Sequence, residues 1–102
     1  MRKPYTELVR HYLRFYVSTL EVGTAPKFRH PIEKNDWMSC HEVVQKLDPE
    51  EIELVKELYC PGDTIPDRVY AMARSRKAPQ GYLWSFIEEL ESKIAKTRGL
   101  IW

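Results

Sequence analysis

The C-terminal half of this 102-residue chain contains a cluster of basic residues, followed by a glutamine and a tyrosine. Arg74, Arg76 and Lys77 fall within four consecutive positions, and Gln80 and Tyr82 follow them closely. Arginine and lysine neutralise nucleic-acid phosphates, and a glutamine amide can bond to the major-groove edge of adenine. The grouping predicts contact with duplex DNA, with the three cations on phosphates and with Gln80 and Tyr82 on bases or the groove wall.

Such contact requires a short helix and a turn that brace a second helix, whose first residues enter the groove. The sequence predicts this helix–turn–helix arrangement over residues 66–98. A brace helix covers Pro66–Arg74, a turn covers 75–78, and the last helix covers Pro79–Arg98 before Gly99 ends it. An apolar stripe at helical spacing follows the last helix and is formed by Leu83, Phe86, Ile87, Leu90, Ile94 and Ile101.

An acidic helix precedes this segment and supports a different hypothesis. Asp48 is suited to the N-cap, Pro49 to the first helical position and Glu51 to the third, which together make a capping box. The acidic residues of this helix are Asp48, Glu50, Glu51, Glu53 and Glu57. They could imitate nucleic-acid phosphates, so that the protein would inhibit a nucleic-acid-binding partner through an acidic surface. Trp84 would then serve as an aromatic anchor of the protein interface.

Charge is distributed unevenly along the chain, although the formal net charge is only +1. Residues 1–35 and 68–102 each carry a net charge of +4, whereas residues 36–67 carry −7. Mutual attraction within one fold explains this pattern, together with acids at helix N-termini, where the helix dipole favours them. The alternative explanation is a basic face directed at an anion, with the acidic helix turned away.

The N-terminal helix is predicted over residues 4–20, because apolar residues recur there at i, i+3, i+4 and i+7. Arg10 and Arg14 lie one turn apart on its other side, and we expect them to be secondary DNA contacts. Phe15 falls off the apolar stripe, which indicates a second contact.

The following stretch, residues 21–35, is predicted to be a loop, because Gly23, Pro26 and Pro31 interrupt helical periodicity. Its basic residues suit either a functional loop or a segment that wraps the core. A second helix is predicted over residues 36–47, with Asn35 or Asp36 as its cap.

Enzyme and metal-site motifs are absent from the sequence. There is no glycine-rich phosphate loop, no HExxH, no GxSxG and no paired Cys/His clusters, so neither catalysis nor a cofactor nor a metal is expected. Cys40 and Cys60 fit two reduced thiols of a cytoplasmic protein. No run of about 18 apolar residues indicates a membrane span, and no signal peptide is recognised.

The segments LDPEEIELVKELY (47–59) and DTIPDRVYAMARS (63–75) resemble region four of sigma-type factors. They resemble still more closely the small ArpU and RinA-type regulators of phages and mobile elements of Gram-positive bacteria. The resemblance covers about residues 43–95 and implies a helix–turn–helix that binds DNA and activates transcription.

The whole chain, residues 1–102, is therefore predicted to be a single all-α domain of five helices. We expect the first helix to pack across the third and the fifth. DNA binding is the first functional hypothesis and inhibition of a host protein is the second. A structural subunit, homodimeric through the first or fifth helix, is the third.

Overall fold

A computed structural model describes residues 3–22, 27–60, 62–75 and 78–101. The predicted all-α class with five helices is confirmed, and no strand occurs within these ranges. In chain order the helices are α1 (Thr6–Val22), α2 (Pro31–Val44), α3 (Pro49–Leu58), α4 (Ile65–Arg74) and α5 (Gln80–Arg98). In the described part of the chain, no helix combines the length and the hydropathy that a bilayer span needs.

Helix α5 lies at the centre of the domain and packs against α1, α2 and α4. The stripe predicted for it is largely confirmed, because Leu83, Ile87, Leu90 and Ile94 are all buried. Helix α1 supplies the facing residues Val9, Leu13, Tyr16 and Val17, which are also buried. The expected packing of α1 across α3 and α5 needs correction, since α1 packs chiefly against α2 and α5.

The start of α2 also corrects the prediction, because residues 31–35 are helical and only 27–30 of the described residues form the preceding connection. His30 is the N-cap, and its Nδ1 accepts a hydrogen bond from the Ile32 N–H at 3.1 Å. Pro31 occupies the first helical position, where the missing N–H costs nothing. Asn35 and Asp36 therefore lie inside the helix and do not cap it.

The other predicted helix boundaries are close to the observed ones. Glu51 Oε1 accepts the Asp48 N–H at 3.1 Å, as the capping box requires. Thr64 Oγ1 accepts the Asp67 N–H at 3.3 Å and so caps α4. Gly99 ends α5 in the left-handed conformation, at φ +84°, which lets the Leu100 N–H reach the Ala95 carbonyl at 2.8 Å.

A buried polar cluster joins α1, α3 and α5. Glu91, in the buried face of α5, accepts hydrogen bonds at 2.8 Å from Arg10 Nε of α1 and from the hydroxyl of Tyr59 at the end of α3. The side chains of Arg10 and Glu91 are only 12% and 5% exposed. Burial raises the pKa of Tyr59, the Glu91 charge raises it further, and the Arg10 charge opposes both. Tyr59 therefore remains a neutral hydrogen-bond donor.

Removal of Glu91 should destabilise the domain strongly. Glu91→Ala leaves the Arg10 charge buried without its carboxylate, a change that typically costs about 3–5 kcal/mol. Glu89→Ala is the matched control, because Glu89 forms an exposed pair with Lys93 at 3.2 Å on the same helix. An exposed pair of that kind contributes about 0–1 kcal/mol. Urea denaturation should therefore separate the two variants, and equal losses would contradict a structural role for the cluster.

The buried thiol of Cys40 should make stability fall at alkaline pH. Burial, and secondarily the Asp36 charge, raise its pKa from 9.0 to about 12. Above pH 9 the unfolded chain loses this proton while the folded chain keeps it, so stability is present below pH 9 and declines above it. The contribution approaches about 1.4 kcal/mol per pH unit. Cys40→Ala should have a shallower decline between about pH 9 and 10 in urea titrations; an unchanged decline would contradict the assignment.

Candidate nucleic-acid interface

The residues predicted to contact DNA lie where α4 ends and α5 begins. We define the α4–α5 corner as Tyr70, Arg74, Gln80, Gly81 and Tyr82, all of which are exposed. Arg76 and Lys77, the other two predicted phosphate contacts, lie outside the described residues. The structure thus places Arg74, Gln80 and Tyr82 on the surface at consecutive helix ends, as the prediction requires.

Helix α4 directs Arg74 outward by burying its opposite side. Val69 and Met72 are in the core, so Tyr70 and Arg74, one turn apart, face solvent. The guanidinium carbon of Arg74 lies 5.6 Å from the centre of the Tyr70 ring. A guanidinium held on a ring keeps N–H groups at its edge for oxygen acceptors. Tyr70 therefore supports Arg74 in a position that leaves it able to bind a phosphate.

The first turn of α5 differs from the starts of the other helices. Its N-cap is Pro79, which makes no side-chain hydrogen bond, and among the five helices of the described chain α5 alone has no acidic residue in its first turn. The first intrahelical bond runs from the Leu83 N–H to the Pro79 carbonyl at 3.1 Å. The N–H groups of Gln80, Gly81 and Tyr82 precede it, and such groups with the positive end of the helix dipole attract anions.

Gly81 leaves this turn open. A Cβ atom built at Gly81 meets no atom within 4 Å, so the packing of the protein does not require glycine there. Its φ is not positive either, so the backbone conformation suits other residues. Glycine in a helix is less favourable than alanine, and a close approach by another backbone is one reason to keep it.

Gln80 and Tyr82 are anchored by the buried Leu83 beside them. Leu83 is fully buried, whereas Tyr82 is 50% exposed and Gln80 is exposed. Trp84, the anchor in the alternative hypothesis, is 37% exposed and stands one helical turn after Gln80. It lines a pocket of about 390 Å³ together with Lys3, Tyr5 and Pro66, near the starts of α1 and α4.

Arg10 and Arg14, the predicted secondary contacts, both have partners within the protein. The Arg10 guanidinium forms an ion pair with Glu91 and is mostly buried. Arg14 Nη2 donates to the Asp63 carbonyl at 3.2 Å and so ties α1 to the connection before α4. These contacts stabilise the domain, and we therefore leave both arginines out of the interface proposed below.

The acidic residues of α3 are partly used in local contacts. Glu50 is exposed, and so is Glu53, which pairs with Lys56 at 3.3 Å. The Glu51 carboxylate belongs to the capping box, and Glu57 is half-buried. Nearby, Arg68 Nη1 lies 3.7 Å from Asp63 Oδ2. Adjacent cations thus offset part of the negative charge on this side of the domain.

Two residues of the α4–α5 corner, Tyr70 and Gly81, were not predicted as site residues, although the position of each in the sequence is informative. Tyr70 stands at i, i+4 from Arg74, a spacing that places the ring under the guanidinium. Gly81 interrupts an otherwise strong helical pattern one position after Gln80.

Comparisons of this chain with protein-family models, with curated proteins and with solved structures found no match.

Proposed function

We propose that this protein binds duplex DNA through the α4–α5 corner. The observation that carries the proposal is the first turn of α5, which has neither a capping side chain nor an acidic residue and begins six residues after the exposed Arg74. Phosphates suit both features, because they accept from backbone N–H groups and pair with arginine. The sequence adds Arg76 and Lys77 between the two helices.

Base contact in this proposal comes from the side chains that project beyond the phosphate-binding turn. Gln80 can bond to the N6 and N7 atoms of adenine, and Tyr82 contributes an exposed ring at the groove wall. The resemblance to small phage and mobile-element regulators then makes transcriptional regulation the role of the binding. Inhibition of a host protein by the α3 acids is less well supported, because Glu51 and Glu53 already have local partners.

Arg74 should contribute to affinity for any duplex sequence. Arg74→Ala removes one phosphate contact, so the plot of log affinity against log salt should become shallower by about 0.9. Arg29→Ala is the matched control, because Arg29 is also an exposed arginine but lies before α2, away from the corner. Fluorescence anisotropy with random duplex DNA, from about 50 to 200 mM salt, measures both slopes.

The double variant Arg76→Ala/Lys77→Ala should weaken binding further and equally across sequences, as expected for phosphate contacts. Two results would contradict the proposal: no binding by the folded protein at low salt, or an equal loss of affinity in the Arg29→Ala control.

Gly81→Ala should change stability and binding in opposite directions. Alanine fits the backbone and restricts the unfolded chain, so the free energy of unfolding should rise by about 0.4–1 kcal/mol. Its methyl group occupies the space through which a phosphate would approach the first turn of α5, so DNA affinity should fall. Urea denaturation and anisotropy at one salt concentration test the pair of effects. Unchanged DNA affinity in a stabilised variant would show that no ligand backbone approaches Gly81.

A further inference from the structure

A second surface lies at the other end of α5, between α1 and the start of α2. It is a groove of about 710 Å³, which we call the α1–α2 groove. Its walls include two rings of α1, from Tyr12 and Phe15, and Ile32 of α2. Lys27, Arg29 and His11 lie along its edge. None of these residues belongs to the α4–α5 corner.

Contacts of Phe28 and Trp37 attach the segment before α2 to the rest of the protein. The Phe28 ring packs edge-on against Trp37, with 5.9 Å between ring centres. Trp37 Nε1 donates to Thr19 Oγ1 of α1 at 2.9 Å, and its ring stacks on His41 at 4.9 Å. The segment before α2 is therefore attached to the core, and the groove exists before any partner binds.

The floor of the groove is apolar and partly exposed. Ile32 is 55% exposed, and Tyr12 and Phe15 are only partly buried. Leu8, one turn before Tyr12 on α1, extends the apolar surface and is 49% exposed. Neighbouring apolar side chains that remain in solvent mark an interaction site more often than isolated ones do.

The charge that this groove offers to a ligand is positive. Lys27 and Arg29 are exposed and form no ion pair among the described residues. Two acids also line the groove. Asp36 Oδ1 accepts from Arg98 Nε at 2.7 Å, so its charge is paired. Glu33 Oε1 accepts only the Arg29 backbone N–H, at 3.4 Å, and keeps its charge, but Lys27 and Arg29 together outweigh it.

We propose that the α1–α2 groove docks an acidic amphipathic helix of a protein partner. A helical apolar stripe fits the floor of Tyr12, Phe15 and Ile32. Carboxylates beside the stripe face Lys27 and Arg29. Single-stranded nucleic acid fits less well, because the most exposed apolar side chain of the groove is the aliphatic Ile32, whereas the rings of Tyr12 and Phe15 are only partly exposed for base stacking. This docking does not depend on the DNA-binding proposal.

The two surfaces are far enough apart to be occupied together. Gln80 begins α5, and Arg98, which holds Asp36 beside the groove, ends it. Eighteen helical steps separate them, a rise of about 27 Å. A protein with this arrangement can join a duplex at one end to a partner protein at the other.

The test uses the full chain and a fluorescent synthetic peptide of about 16 residues, long enough for four helical turns. The peptide has leucine and phenylalanine at i, i+3, i+4 and i+7 and glutamate on the flanks. We expect micromolar binding by anisotropy, at least about tenfold tighter than a scrambled peptide or one with lysine in place of glutamate.

Ile32→Ser and Met38→Ser form the matched pair of variants. Both residues are exposed apolar side chains of α2, at 55% and 48%, but only Ile32 lines the groove. Ile32→Ser should weaken peptide binding about tenfold, and Met38→Ser should stay within about twofold of the unaltered protein. Circular dichroism of both variants serves as the control that each remains folded.

Three results would overturn the docking proposal: no saturable peptide binding, equal losses in the two serine variants, or tighter binding of oligothymidylate than of the acidic peptide. The last would identify the groove as a nucleic-acid site. DNA binding at the α4–α5 corner is measured separately with Arg74→Ala, so failure of either proposal is distinguishable from failure of the other.

Discussion

The fold depends on one carboxylate that is surrounded by the core. Glu91 stands in the buried face of α5 and receives hydrogen bonds from Arg10, 81 positions earlier, and from Tyr59, 32 positions earlier. A buried charge of this kind is tolerable only when its partners are in place. The cluster therefore joins α1 and the end of α3 to α5.

With α5 fixed, its two ends have different surroundings. The N-terminal end has no capping side chain and carries the exposed Gln80, Gly81 and Tyr82. The C-terminal end is closed by Gly99 and attached to α2 through Arg98 and Asp36. The ion pair with Glu91 accounts for Arg10, and the hydrogen bond to the Asp63 carbonyl accounts for Arg14. The exposed arginines lie towards the two ends of the protein, where a ligand can reach them.

Local sequence patterns predicted the helices well, because their information lies within a few residues. The stripe of α5, the capping box of Asp48 and the stop at Gly99 are examples. The start of α2 was missed because Pro31 reads as an interruption unless His30 is recognised as a cap. Glu91 was missed for a different reason. Its partners are distant in sequence, and no periodicity distinguishes a buried carboxylate from a solvated one. The same limit explains why Arg10 and Arg14 resembled surface cations.

The most direct test of the function is a map of where duplex DNA touches the folded chain. Titration of ¹⁵N-labelled protein with a short duplex at low salt, followed by ¹H–¹⁵N correlation spectra, provides it. If the α4–α5 corner is the interface, the largest shifts will occur at the backbone amides of Arg74, Gln80, Gly81 and Tyr82, with little change in residues 27–36. Shifts concentrated in residues 8–15 and 27–36, or absent throughout, would contradict it.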